Sequence, residues 1–319
     1  MTAPSISLHG FPECAEAASR LAALLGAADR PLAVRRFPDG ESLVTAPEAA
    51  EIALVYRPLH DPNGKIVEVL LAASALRARG ARRVGLVAPY LAYMRQDIAF
   101  HPGEAVSQRV IGRLLADTFD AIVTAAPHLH RTPRLEDVFP GTSAAEVDLV
   151  PPLAALIEAG GGAEAGAEKN CRGGLALIGP DEESGPLVAR LAAATGARPL
   201  VARKIRRGDR DVEVTLPPDT DLSGLAAIVV DDVISSGHTI AACARLALAA
   251  GARRVEAVAC HALHDGAAAR LLAEAGIARV ASADGVPHPT NALALAPGLA
   301  EATRRALADL GRNEGKSPQ

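Results

Sequence analysis

One stretch limits the possible folds more than any other: residues 226–240, Ala-Ala-Ile-Val-Val-Asp-Asp-Val-Ile-Ser-Ser-Gly-His-Thr-Ile. Its apolar, β-branched start reads as a strand that ends in two carboxylates, Asp231 and Asp232. A polar loop follows, Ser235-Ser236-Gly237-His238-Thr239, and an alanine-rich helical pattern begins at Ala241. Strand, tight loop and helix start form the repeating unit of parallel α/β sheets. The helix start offers backbone N–H groups without intrahelical partners and the positive end of the macrodipole. Gly237 lets the backbone approach an anion, and Ser235, Ser236 and Thr239 add hydroxyl donors, so the loop suits a phosphate. The two aspartates would repel a phosphate and suit a sugar diol or a hydrated divalent ion instead. A plain turn with carboxylates capping a sheet edge explains any one of these features but not the ordered set.

The rest of the chain repeats this grammar. Gly-Ala-Arg-Arg-Val occurs at Gly80–Val84 and again at Gly251–Val255, each time after a helical pattern and before an apolar strand. Alternating helix and strand patterns around both copies imply parallel sheets and a duplicated α/β domain. The expected fold class is therefore α/β with two similar domains, each a mainly parallel sheet flanked by helices. Expected boundaries are 1–150 and 151–311, with residues 312–319 as a disordered tail. The Gly/Ala-rich stretch at 159–174 reads as a flexible segment between domains or an insertion after a helix. Asp181, Asp231, Asp232 and His128 each follow an apolar strand, the edge at which open α/β sheets bind ligands.

Composition excludes several function classes. A formal net charge of −4 without a long basic run argues against nucleic acid as the main partner. No 18-residue apolar run is present, and residues 1–13 lack a basic segment followed by an apolar one, so neither a membrane span nor a secretory signal is expected. Four scattered cysteines without CxxC spacing read as reduced, mostly structural thiols of a cytoplasmic protein. Lysine is scarce: Lys65, Lys169, Lys204 and Lys316 are the only four, against a background of arginine. Of these, Lys204 stands in a charged, glycine-containing stretch, 204–211, that reads as a mobile basic loop.

With these residues laid out, the chain resembles the ribose-phosphate pyrophosphokinase (PRPP synthetase) family from about Phe37 to the terminal helix, and the loop at 231–239 resembles that of type I phosphoribosyltransferases. Phe37-x-Asp39-Gly40-Glu41 is similar to the family's adenine-contacting loop, and Pro89-Tyr90-x-x-Tyr93-x-Arg95-Gln96-Asp97 to its ATP motif. His128 falls on the catalytic-site histidine, Gly179-Pro180-Asp181 on the pyrophosphate loop, and Lys204-x-Arg206 on the flexible catalytic loop. The stretch from Asp231 through Asp232, Ser235, Ser236, Gly237 and His238 to Thr239 falls on the ribose 5-phosphate loop. The resemblance implies two phosphoribosyltransferase-like domains, ATP and ribose 5-phosphate as substrates, magnesium as cofactor with His128 and Asp181 as candidate ligands, and a homo-oligomer.

Two departures stand out. The family places an aspartate two residues before the catalytic histidine; this chain has Ala126. The pyrophosphate loop carries Glu182-Glu183, which adds negative charge beside a phosphate site. They favour one alternative, a non-catalytic regulatory homologue; the loop at 231–239 taken alone would fit a second, a phosphoribosyltransferase that consumes PRPP. The adenine and Arg-Gln-Asp motifs speak against the second.

Overall fold

The computed structural model describes residues 4–129, 131–160, 174–206 and 212–313. The chain divides into two compact units, residues 1–147 with 295–319, and residues 148–294.

The first unit is built on β1 (Ile6–Gly10), α1 (Ala15–Leu25), β2 (Ala28–Asp29), β3 (Ala33–Arg36), β4 (Ser42–Thr45), β5 (Ile52–Tyr56), α2 (Pro62–Ala78), β6 (Arg83–Ala88), α3 (Ser107–Ala116), β7 (Ala121–Thr124), α4 (Leu135–Val138) and β8 (Ser143–Glu146). Six of these strands form one parallel sheet in the order β2-β1-β5-β6-β7-β8. Parallel neighbours cannot be joined by a tight turn, so helices make the crossovers and bury their apolar sides on the sheet. Strand residues such as Leu54, Val55, Leu86, Val87 and Ile122 are shut off from solvent on both faces, as parallel sheets require. The remaining two strands, β3 and β4, form a separate antiparallel hairpin.

The second unit holds α5 (Val150–Gly160), β9 (Leu175–Gly179), α6 (Gly185–Thr195), β10 (Arg198–Val201), β11 (Arg203–Arg206), β12 (Val212–Thr215), β13 (Ala226–Ile234), α7 (His238–Ala249), β14 (Arg254–Ala262), α8 (Gly266–Glu274), β15 (Ile277–Ala283) and β16 (Asn291–Leu293). Its parallel sheet runs β10-β9-β13-β14-β15-β16, which repeats the first order position by position. Here too a two-stranded hairpin, β11–β12, stands apart from the sheet. The duplication expected from the repeated pentapeptide is thus present in the topology. Its core gathers Ile178, Val229, Ile234, Ile240, Ala244, Val255 and Leu272.

The terminal helix α9 (Ala296–Asn313) packs against β7, β8 and α1 and belongs to the first unit. Sequence order had assigned residues 295–311 to the second domain. Leu299, Ala302, Thr303 and Ala306 are buried on α9, and Ser143 Oγ donates to the carbonyl of Ala306 at 2.8 Å. Among the described residues no helix is long and apolar enough to cross a membrane. Most of the Gly/Ala-rich stretch at 159–174, His130, and the tail from residue 314 lie outside the described residues.

Candidate active site

In the second unit, β13 delivers Asp231 and Asp232 to its carboxyl end. The strand does not stop at the two carboxylates. It continues through the buried pair Val233 and Ile234, which lie against His261 and Ala262 of β14. Asp231 and Asp232 therefore sit within the strand, just before its last two residues, both half-buried. Asp231 Oδ1 accepts from the Asp232 backbone N–H at 2.9 Å. Burial, with the Asp232 charge next, pushes the Asp231 carboxyl up to about 8, and Asp181 adds to the effect. The loop after β9 thus brings Asp181 within electrostatic reach of the pair.

The loop Ser235–Gly237 then turns into α7, with His238 and Thr239 in its first turn. Gly237 is the N-cap residue at φ 75°, and no side chain caps the helix. The first backbone N–H groups of α7 are left for a ligand, as a phosphate site requires. A Cβ at Gly237 would lie 3.2 Å from Leu272 Cδ2 and 3.7 Å from Ala268 Cβ, so the turn is both left-handed and packed against α8. Ser236 and His238 are exposed, and Ser235 and Thr239 half-buried.

Asp181 has a local task. Its carboxylate accepts from the Ser184 N–H at 3.2 Å and the Asp181 N–H donates back to Ser184 Oγ at 3.4 Å, closing a capping box over a short 3-10 turn, Glu182–Ser184, while Ser184 Oγ also donates to the Asp181 carbonyl at 2.6 Å. Lys204 and Arg206 lie on β11, with Lys204 opposite Val214 and Arg206 opposite Val212. The sequence suggested a loop from residue 204; the ladder takes in its first three residues, and residues 207–211 lie outside the described ones.

In the first unit, Phe37 to Glu41 form the turn of the β3–β4 hairpin, closed by Phe37 N–H to the Glu41 carbonyl at 2.8 Å with Gly40 at φ 94°. Asp39 and Glu41 are exposed, and Asp39 Oδ1 accepts from the Glu41 N–H at 3.1 Å. The Arg35 guanidinium lies over the Phe37 ring, 4.7 Å from its centroid.

Arg95, Gln96 and Asp97 follow β6, and only Arg95 is exposed. Gln96 Oε1 accepts from Ser107 Oγ at 2.5 Å at the start of α3. Asp97, 3% exposed at its side chain, binds Arg131: Nη1 donates to Oδ1 at 2.9 Å and the backbone N–H to Oδ2 at 3.1 Å. The resemblance implies ATP contact for Gln96 and Asp97; their side chains here are engaged within the chain. The Tyr93 hydroxyl donates to Asn63 Oδ1 at the start of α2, and Tyr93 itself takes φ 65°. His128 is half-buried in the turn after β7, where Ala126 has φ 40° and His128 φ 51°. Each left-handed non-glycine residue costs on the order of 1–2 kcal/mol and persists only where its surroundings impose it. Arg131 escaped the sequence reading because pairing between loops has no periodicity.

The first prediction concerns Asp231. An unfolded aspartate titrates near 3.8, whereas the folded carboxyl holds its proton to about 8. As pH rises through that window, the unfolded chain loses the proton first, so stability present at low pH is lost toward pH 8. Asp231→Asn removes the dependence. Thermal melts from about pH 5 to pH 9 should show a falling Tm for the natural protein and a flatter profile for the variant. Parallel profiles would refute the assignment.

Residues 6–118 match the N-terminal domain of ribose phosphate pyrophosphokinase, and residues 164–293 match the phosphoribosyl transferase domain. The ribose-phosphate pyrophosphokinase of Methanopyrus kandleri is 32% identical over 89% of this chain and 93% of that protein. The enzyme of the same name from Halobacterium salinarum is also 32% identical, over 89% of this chain and 96% of its own length. Among solved structures, the phosphoribosylpyrophosphate synthetase of Mycobacterium smegmatis superposes with a TM-score of 0.77 at 24% identity, covering 96% of this chain and 99% of that one, a likeness of fold. The order of both sheets, the loop at 231–239 and these matches over most of the chain place it in the ribose-phosphate pyrophosphokinase family.

Proposed function

We propose that the protein transfers the diphosphoryl group of ATP to the 1-hydroxyl of ribose 5-phosphate, forming PRPP and AMP. The observation that carries this reading is the uncapped α7 N-terminus together with the Asp231–Asp232 pair on the strand that leads into it, which fits a sugar carrying both a phosphate and a diol. The N–H groups of residues 237–239 and the hydroxyls of Ser235, Ser236 and Thr239 take the 5-phosphate. Asp231 and Asp232 take the ribose hydroxyls. In the first unit, Arg95 takes the triphosphate and His128 a phosphate oxygen or a metal-bound water, while Phe37, Asp39 and Glu41 take the adenine. The 1-hydroxyl oxygen attacks the β-phosphorus as the bond to the α-phosphate oxygen breaks; catalysis of such a step is mostly positioning and neutralisation of charge. Lys204 and Arg206 supply positive charge to the transferring group.

Magnesium fits the donor set only in a shared form. Among the described residues no three His, Cys, Asp or Glu side chains converge as a metal cage, Asp181 caps its own turn, and Ala126 offers no carboxylate. The Asp231–Asp232 pair, in which burial and then the Asp232 charge hold the Asp231 carboxyl up, matches the habit of magnesium to take one or two carboxylates and draw its other ligands from substrate and water. When bound, the ion neutralises phosphate charge.

The exposed Asp39 and Glu41 on a hairpin apart from the sheet suit contact with the ATP of a neighbouring subunit in a homo-oligomer. Among the described residues, the buried free thiols Cys14, Cys243 and Cys260 fit a reducing cytoplasm. Incubation with Mg-ATP and ribose 5-phosphate, with AMP and PRPP followed by chromatography, tests the reading. Equal formation of both supports it. Neither product, with ligand binding retained, supports the alternative favoured by Ala126 and Glu182-Glu183, a non-catalytic regulatory homologue.

Ala126→Asp gives a second test. Aspartate tolerates the left-handed conformation that Ala126 adopts. One added carboxylate should lower the magnesium concentration for half-maximal rate by roughly tenfold, the size of a single charged contact. A magnesium titration of both proteins at saturating substrates measures it, and an unchanged curve would mean that position 126 does not face the metal.

A further inference from the structure

The turn that carries His128 is fastened at both ends to the loop that follows β6. At its start the Ala125 N–H donates to the Pro89 carbonyl at 3.2 Å. At its end the Arg131 N–H and guanidinium occupy the two oxygens of Asp97. One residue on, Thr132 Oγ1 donates to Gln108 Oε1 at 2.8 Å, and Gln108 Nε2 donates to the Met94 carbonyl at 3.3 Å. Between these fixed points stand Ala126 at φ 40° and His128 at φ 51°. Alanine has none of the tolerance for that region shown by Asn, Asp or His, so the conformation at 126 is imposed by its anchors.

We infer that Asp97 and Arg131 are positioning residues: their double contact holds the His128 turn in its left-handed form, and Asp97 does not touch the nucleotide. The inference deepens the reading above and rests on it for the role of His128. The chemistry of the pair supports it. Asp97 is buried and both its oxygens are committed to residue 131, one to the side chain and one to the backbone. A contact to the backbone N–H fixes the path of the chain, which an ion pair between side-chain tips alone would not do. Release of this end lets the backbone from Ala126 to His128 relax to negative φ, which swings the imidazole away from its place.

Asp97→Asn, Asp97→Leu and Arg131→Ala in the full-length protein test this. Asparagine keeps an acceptor for the Arg131 N–H and loses the charge; leucine loses both. Turnover should fall by about 10²-fold in Asp97→Leu, the cost of misplacing a catalytic group by roughly 1 Å, and by about a tenth of that in the other two. Calorimetric affinity for a non-hydrolysable ATP analogue should stay within about threefold in all three variants, since Asp97 and Arg131 make no ligand contact themselves and Arg95 still holds the triphosphate. Adding Arg131→Ala to Asp97→Leu should cause no further loss, because the leucine already removes both contacts to residue 131. Amide hydrogen exchange of the segment 125–131 should quicken in each variant. Parallel loss of ATP affinity and turnover would overturn the inference by placing Asp97 on the nucleotide, as would unchanged exchange at 125–131. If the natural protein forms no PRPP, the functional reading fails while exchange and ATP affinity still decide the clamp. If Asp97→Leu does not fold, Asp97→Asn and Arg131→Ala carry the test.

Discussion

Gly237→Ala is expected to lower kcat/KM for ribose 5-phosphate by about 10²-fold or more while ATP affinity is retained, since two or more charge-assisted N–H contacts are at stake at about 1.5–3 kcal/mol each. Two observations set the size. The residue sits at φ 75°, where an L-residue is disfavoured by about 1–2 kcal/mol. Its missing Cβ would come within 3.2 Å of Leu272 Cδ2, so the turn cannot move aside toward α8 without displacing a buried leucine. The backbone therefore shifts away, and the N–H groups that open α7 turn with it. Steady-state kinetics in each substrate, with calorimetry for the ATP analogue, would measure this. A loss confined to ATP would show that the phosphate loop has been assigned to the wrong substrate.

Lys204→Ala should cut turnover by about 10²–10³-fold and change the Michaelis constant of ribose 5-phosphate only slightly, because a cation aimed at charge developing in the transition state contributes little to ground-state binding. The backbone of residue 204 is laddered opposite Val214 at the base of the β11–β12 hairpin, which fixes where the lysine leaves the chain. Lysine is one of four in a chain that otherwise uses arginine, so a compact point charge is the exception at this position. Rate and binding can be separated by single-turnover measurements with saturating ribose 5-phosphate. A raised Michaelis constant with turnover intact would make Lys204 a simple binding residue.

The fold was readable because alternating strand and helix patterns leave few topologies, and the repeated Gly-Ala-Arg-Arg-Val marked the duplication. The phosphate loop was readable because its chemistry is local: glycine, hydroxyls and a helix start within five residues. What stayed hidden depends on distant contacts. The end of β13 was placed at Asp231–Asp232 because charge normally closes a strand, yet Val233 and Ile234 find partners on β14 and carry it onward. The first residues of the basic stretch read as loop, since charged side chains hide the ladder with β12. Asp97 looked like a ligand because motif and neighbours mark it so. Its pairing with Arg131, 34 residues away, follows from the adjacency of β6 and β7 and leaves no pattern in either segment. The amphipathic face of α9 shows that it must be buried, but not against which sheet.

That last point bears on how the protein is made. α9 is translated after the entire second unit, yet Leu299, Ala302 and Ala306 complete the packing of β7, β8 and α1. During synthesis the first unit emerges early and waits for its covering helix while residues 148–294 are added. Closing it requires contacts between parts of the chain more than 150 residues apart, the kind that forms slowly and leaves apolar surface exposed in the meantime. A nascent chain released before α9 would carry a first unit without part of its own core, so maturation of the N-terminal half is timed by the arrival of the C-terminus.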